Sequence, residues 1–261
     1  MAEIRIDKFL ADRTSYSRSE IKTLLKKGAV RADGKIITDS SQKINPDRQE
    51  IIFNGKKIHS GLNYYVIVNK PENYICATED KQHKTVLELL PEELRHKDMF
   101  PAGRLDIDST GLVLLTTNGN LAHQMLSPKH HVPKYYIVNL AEDLSENEIQ
   151  KLSEGIALSD GTQCLPAEAR KISERFCLIC LHEGKYHQVK RMFAALGNHV
   201  EHLHRVAVGS LLLPANLPLG GHLEIFHKEV RDLLKSKTFQ EMYEQIVTDF
   251  SSYSINDGQE V

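Results

Sequence analysis

The sequence predicts an α+β chain in two parts, and three observations predict it. Residues 1–58 carry two short helical patterns followed by small strands at Asp33-Gly34 and Asn54-Gly55 turns. From residue 64 onward, apolar strand-like runs are interspersed with short helical stretches. Charge is divided unevenly between the two. Residues 1–60 hold 13 Lys/Arg and 8 Asp/Glu, a balance of +5; the net charge is −2, so the remainder carries −7. A basic module on a mildly acidic body suits a polyanion-binding appendage, although a solvated charged surface has the same composition.

The first part is built from local signals. Ile6, Phe9 and Leu10 lie at helical spacing within residues 4–13. Ser17 and Glu20 stand in capping-box register, Ile21, Leu24 and Leu25 share one face, and Gly28 is placed to end the helix. Arg13, Arg18, Lys22, Lys26 and Lys27 decorate the polar side. Val30, Asp33-Gly34 and Ile36-Ile37 predict a hairpin, and Ile51-Ile52-Phe53 with Asn54-Gly55 another strand and turn. Residues 59–63, with Ser60-Gly61, form a hydrophilic linker.

The second part, residues 64–233, begins with a strand at Tyr64–Val68 that runs into Asn69-Lys70-Pro71. A short helix is expected over 85–95. Next come two acids, an arginine and two glycines in twelve residues, 101–112. The run Leu112–Thr117 after them predicts a buried strand closed by an Asn118-Gly119 turn. A loop bearing Arg104, Asp106 and Asp108 is thereby held against a rigid sheet, where side chains can be positioned closely. By itself such a loop is equally a turn with an internal ion pair. A helix over 120–126, a polar basic loop over 127–131 and a strand from Lys134 to Val138 follow. Ser145 and Glu148 start a helix that runs toward Gly155, and strands are expected near 163–172 and 175–181. A helix begins within Glu183–Phe193 and ends near Gly197. Residues 234–261 form a C-terminal tail, helical if Phe239, Met242, Tyr243 and Ile246 share a face.

Composition excludes some classes. With 41% hydrophobic and 26% charged residues in 261, the chain suits a soluble globular protein of one larger and one small domain. No apolar run reaches bilayer-spanning length, and the N-terminus lacks a signal-peptide core, so a cytoplasmic protein is expected. Cys177 and Cys180 sit three apart on a predicted strand and so point to opposite faces, which chelates poorly. His199, His202 and His204 lack the further ligands zinc needs. The expectation is no metal.

The order of the loop residues carries more. Gly103-Arg104-Leu105-Asp106 followed by Ser109-Thr110-Gly111-Leu112 resembles the catalytic motif of pseudouridine synthases, more narrowly the branch of the ribosomal small subunit enzymes. Lys134-Tyr135-Tyr136 and Gly184-Lys185-Tyr186-His187-Gln188-Val189-Lys190-Arg191-Met192 resemble two further motifs of that family. In residues 1–58, Arg5–Leu10, Ser17–Lys22 and Gly28–Lys35 resemble the αL RNA-binding motif of ribosomal protein S-four.

The resemblance implies an α+β fold: a small S-four-like RNA-binding domain plus a mixed, largely antiparallel catalytic sheet with flanking helices. It implies Asp106 as the nucleophile and Tyr136 as the aromatic that stacks on uracil. Lys190 becomes the cation facing Asp106, at a position where many members carry arginine. Arg104 is placed to pair with acids or fill the gap left by a displaced base, and Asp108 to organise the loop. Arg5, Lys8, Arg18, Lys22, Lys26, Lys27 and Arg31 become RNA contacts. Lys70 is a phosphate contact or a plain surface lysine. The implied reaction isomerises a uridine of 16S rRNA, within a small-subunit assembly particle, with no cofactor and a monomeric enzyme. A 23S rRNA substrate, a non-catalytic ribosome-assembly factor and a metal- or thiol-dependent enzyme are the alternatives.

Overall fold

The computed structural model describes residues 3–249 except 15, 47–48, 59–62, 128–129, 227–228, 231–232 and 236. The expected linker, all but Asn63, lies outside the described residues, as do 250–261 of the tail. The chain divides into two units, residues 1–64 with 226–228, and residues 65–225 with 229–261.

In the first unit the elements run β1 (Ile4–Arg5), α1 (Ile6–Ala11), α2 (Arg18–Lys26), β2 (Val30–Ala32), β3 (Lys35–Ile36), β4 (Lys43–Ile44), β5 (Ile51–Phe53) and β6 (Lys56–Ile58). The capping box forms as the sequence predicts. The Ser17 hydroxyl accepts from the Glu20 N–H, and the Glu20 carboxylate accepts from the Ser17 N–H at 2.7 Å. Asp33 and Gly34 both have positive φ (48° and 78°), as do Asn54 and Gly55 (50° and 78°). Primed turns of this kind match the twist of the strands they join. Ile6, Phe9, Leu10, Ile21 and Leu25 pack on Val30, Ile51 and Phe53 in one small core. The helical segment expected over 4–13 is shorter, because Ile4 and Arg5 pair with Ile44 and Lys43 instead.

The second unit contains β7 (Tyr65–Lys70), β8 (Tyr74–Ile75), β9 (Lys84–Thr85), β10 (Phe100–Pro101), β11 (Thr110–Thr116), α3 (Gly119–Leu126), β12 (Lys134–Leu140) and α4 (Glu146–Glu154). It continues with β13 (Glu168–Lys171), β14 (Phe176–Leu181), α5 (Gln188–Ala195), β15 (Val200–Val208), β16 (Leu211–Leu212), β17 (His222–Glu224) and α6 (Phe239–Thr248). Among the described residues a nine-stranded sheet runs β13-β14-β12-β15-β11-β7-β17, with β10 on β11 and β16 on β15. Its pairs are antiparallel except β11·β15, which is parallel. The sheet is therefore mixed and largely antiparallel. Strand alternation sends Tyr65, Ile67, Leu112, Leu114, Tyr135, Ile137, Leu178 and Cys180 to one face. There they pack with Ala122 and Met125 of α3 and with Met242 and Ile246 of α6.

Three local expectations are corrected. The segment 85–95 is two 3-10 turns, Val86–Leu89 and Glu92–Leu94, with extended Leu90 and Pro91 between them. A residue before proline is driven out of the helical region. Asn118-Gly119, expected as a turn, instead opens α3: Asn118 is its N-cap, and its side chain accepts from the Leu121 N–H. Helix α5 begins within the expected Glu183–Phe193 span, at Gln188, because His187 is left-handed (φ 48°, ψ 36°). The strand expected over 163–172 shortens to β13. In the C-terminal segment α6 opens with a Thr238–Glu241 capping box, and the Tyr243 hydroxyl donates to the Lys171 carbonyl at 2.6 Å. Among the described residues no helix is long and apolar enough to cross a membrane.

Candidate active site

The 103–109 loop enters the sheet at Gly111, where three strands meet. Gly111 pairs with Lys70 of β7 on one side and Arg205 of β15 on the other. Its φ is +106°, and a Cβ there would stand 2.6 Å from the Arg205 backbone nitrogen. Only glycine permits the approach. Three side chains then anchor the loop. Lys70 is fully buried, and its ammonium donates to the carbonyls of Ser109 (2.6 Å), Pro71 (3.0 Å) and Ile107 (3.3 Å). Arg205, 3% exposed, donates from Nε to the Leu112 carbonyl (2.8 Å) and from Nη1 to the Arg104 carbonyl (3.0 Å). His204 Nδ1 bonds the Thr110 hydroxyl at 2.7 Å.

These contacts correct the expectation for Lys70. It is neither a phosphate contact nor a surface lysine, but a buried clasp on the loop backbone. Burial pulls its ammonium down to about 8, against the opposing pull of nearby Cys76, Asp108 and Glu72. Burial likewise lowers His204 to about 4, so its ring is neutral at pH 7.

Beside the loop lies a cavity of about 790 Å³, within the range of small-molecule sites. Asp106, Arg104 and Tyr136 all line it, together with Lys134, His187 and Arg205. Tyr136 and Tyr135 take opposite faces of β12. Tyr135 turns into the core, its ring stacked with Phe239 at 6.4 Å. Arg104 is exposed, and among the described residues its guanidinium makes no ion pair. Lys134 donates to the Val132 carbonyl at 3.0 Å; burial, then the Arg205 charge, lower its affinity for the proton.

Lys190 departs from expectation. Its ammonium pairs with Asp108 at 2.5 Å, whereas Asp106 has His187 beside it, Nε2 to Oδ1 at 3.6 Å. The left-handed turn at His187 explains the exchange. It sets the imidazole at the start of α5 toward Asp106, and Lys190, one turn on, reaches the acid two residues further along the loop. Burial raises the Asp108 carboxyl, but the Lys190 pair outweighs it and leaves the group below its usual range. Arg191 turns away to Asp160 at 2.5 Å.

His187 and Arg205 are cavity residues in contact with the 103–109 loop that sequence reasoning misses. His187 lies inside the Tyr186-His187-Gln188 string and has no spacing signal of its own. Arg205 lies in an ordinary strand, and only the parallel pairing of β11 with β15 brings it to the loop. The Cys177 and Cys180 thiols are buried and pushed up to about 12, which suits packing. One trio among the described residues, Glu168, Cys180 and His182, has ligand atoms within 4.8 Å of one another.

In the first unit the basic residues split into two groups. Arg5 and Arg18 both clasp the buried Asp7, at 2.9 and 3.0 Å, while remaining about half exposed. The Arg5 hydrogen bond above all holds the Asp7 carboxyl far below the usual carboxylate range. Lys8, Lys22, Lys26, Lys27 and Arg31 are exposed, and Arg31 also donates to the Gly34 carbonyl at 3.1 Å. Arg13 is no surface decoration: it lies half-buried over the Phe9 and Tyr64 rings at 4.9 and 5.6 Å.

A loop-anchored carboxylate in a cavity of a mixed sheet, in a chain with a basic αL-type unit, defines an RNA-acting enzyme class, and sequence comparison identifies it. Residues 64–195 match the RNA pseudouridylate synthase family, and residues 4–49 match the S4 domain. The chain belongs to the RNA pseudouridylate synthases, isomerases that convert uridine to pseudouridine in RNA, and carries an RNA-binding S4 domain at its N-terminus. It is 40% identical over 232 residues to an uncharacterized RNA pseudouridine synthase of Bacillus subtilis, covering 87% of this chain and 97% of that one. To ribosomal small subunit pseudouridine synthase A of Escherichia coli K12 it is 36% identical over 234 residues, covering 88% and 100%. A crystal structure of a pseudouridylate synthase superposes with a TM-score of 0.62 at 35% identity, over 88% of this chain and 99% of the other.

Proposed function

We propose that the chain isomerises a uridine of 16S rRNA, presented by a small-subunit assembly particle, with Asp106 as nucleophile. The observation that carries this function is the Asp106 carboxylate on the wall of a cavity it shares with Tyr136 and Arg104. The reaction breaks the bond between ribose C1′ and uracil N1 and forms one from C1′ to C5. C5 loses a proton and N1 gains one, so no electrons enter or leave and no cofactor is required. Asp106 attacks in its ionised form, and the His187 imidazole lies beside it, Nε2 3.6 Å from Oδ1. Tyr136 presents its ring to the uracil. A cavity of this kind accepts the base only after it leaves the RNA stack, and the exposed Arg104 is placed to occupy the vacated position. Lys190 acts through Asp108, fixing the loop two residues from the nucleophile.

Full-length similarity to ribosomal small subunit pseudouridine synthase A supports the 16S substrate. The test is pseudouridine mapping of rRNA from a strain lacking the gene, complemented with wild type or Asp106→Asn. One 16S uridine should stay unmodified in the deletion, return with wild type and remain unmodified with D106N. The purified variant should bind rRNA within about twofold of wild type, because the exposed S4-domain cations supply phosphate affinity. A modification missing from 23S instead would move the substrate to the large subunit. Full modification by D106N would remove Asp106 from the chemistry.

A further inference from the structure

We propose that Tyr186 is a stacking platform for an unpaired nucleobase adjacent to the target uridine, a subsite beyond the uracil pocket; this rests on the reading of the cavity as an RNA uridine site. Among the described large apolar side chains Tyr186 is the most exposed, at 73%. Leaving an aromatic ring in water forgoes burial that a sheet-rich unit could supply elsewhere. The ring is nevertheless held in place. One face lies on the His187 imidazole, centroids 3.8 Å apart and planes 19° from parallel. His187 is itself fixed between the helix it opens and Asp106, in a left-handed conformation that non-glycine residues seldom adopt. The Tyr186 carbonyl accepts from Arg191 Nη1 at 3.4 Å, and Asp160 holds that guanidinium.

The result is a two-ring stack with one bare face, on the lining of the cavity that contains Asp106. Turning a uridine out of RNA strips its neighbour of a stacking partner. A rigid aromatic face beside the pocket replaces that partner. Stacking of this kind accepts any base, because every base has a π face. The occupant is thus a nucleobase of the same RNA strand, and the His187 ring couples its seat to the nucleophile through one side chain.

The test uses the full chain and a short fluorescein-labelled RNA containing the mapped uridine, with single abasic sites placed on either side of it. Tyr186→Ala should weaken binding about tenfold, and Tyr186→Phe should recover affinity to within about twofold of wild type. One abasic position should cost wild type about tenfold and cost Y186A nothing further, the non-additivity of two groups that touch. Y186A affinity within about twofold of wild type, or abasic losses identical in both proteins, would overturn the platform while pseudouridine formation by wild type upholds the site. If wild type forms no pseudouridine in any rRNA, the uridine site fails and the platform falls with it.

Discussion

His204 illustrates how a residue two positions from another of its kind acquires a different character. His202 on the same strand is exposed, whereas His204 is buried against Thr110. Its pKa of about 4 lies below the free value of 6.5, so the folded state excludes a proton that the unfolded chain binds in between. Stability from this group is complete above about pH 6.5 and drains away as pH falls toward 4, by about 3 kcal/mol in all. His204→Asn keeps a polar partner for Thr110 and does not titrate. Urea unfolding at pH 7 and pH 5 should show wild type losing about 2 kcal/mol more than H204N over that interval. Equal acid losses in the two proteins would show that His204 is not the titrating group. Lys70 reaches burial by another route. In Asn69-Lys70-Pro71 nothing marks a lysine for the interior; its fate is set by the Ile107 and Ser109 carbonyls that the folded loop brings to it, beside that of its neighbour Pro71.

At the scale of elements, the parallel pair β11·β15 shapes the site. It joins the start of the strand that follows the Asp106 loop to the strand bearing His204 and Arg205, and it closes over Gly111. A methyl group at 111 meets the Arg205 backbone, so Gly111→Ala should destabilise by more than about 3 kcal/mol, a positive-φ penalty plus an overlap that backbone cannot relieve. Gly161 has a similar φ of +81°, but a Cβ there meets nothing within 4 Å. Gly161→Ala should cost only the conformational part, about 1 kcal/mol. Thermal unfolding measures the contrast, and equal shifts in Tm would mean that the strands part easily at Gly111. The capping boxes at Ser17 and Ser145 and the turns at Asp33-Gly34 and Asn54-Gly55 can be read from sequence because each is made by residues within four positions. The helix expected over 85–95 fails that test, since Pro91 splits it and leaves turns too short to keep a helical period.

At the scale of the whole molecule, two units with separate cores divide the work: one supplies exposed cations, the other the cavity. Lys22, Lys26 and Lys27 are exposed on and just after α2, and among the described residues they pair with no acid, unlike Arg5 and Arg18. Replacing all three with glutamine should lower the slope of log affinity against log salt by about 2, at roughly 0.7 to 0.9 for each phosphate no longer neutralised. Fluorescence anisotropy of an rRNA fragment over a salt series reads the slope. A parallel drop in affinity at every salt concentration would place the three lysines off the phosphate backbone.

The order of amino acids is enough for the α+β class, the two-part chain, the S-four-like start and the loop bearing Asp106. Those properties rest on contiguous residues, whose spacing fixes caps, turns and motifs before any long-range contact forms. Which cation meets which acid is settled only in three dimensions. Lys190 and His187 are three residues apart, and Asp106 and Asp108 two; a single left-handed residue ahead of α5 pairs His187 with Asp106 and Lys190 with Asp108. Arg205 reaches the Arg104 carbonyl across 101 residues of chain by a strand pairing that leaves no local trace. Charge partners are chosen by through-space distance, and only the folded backbone sets that distance.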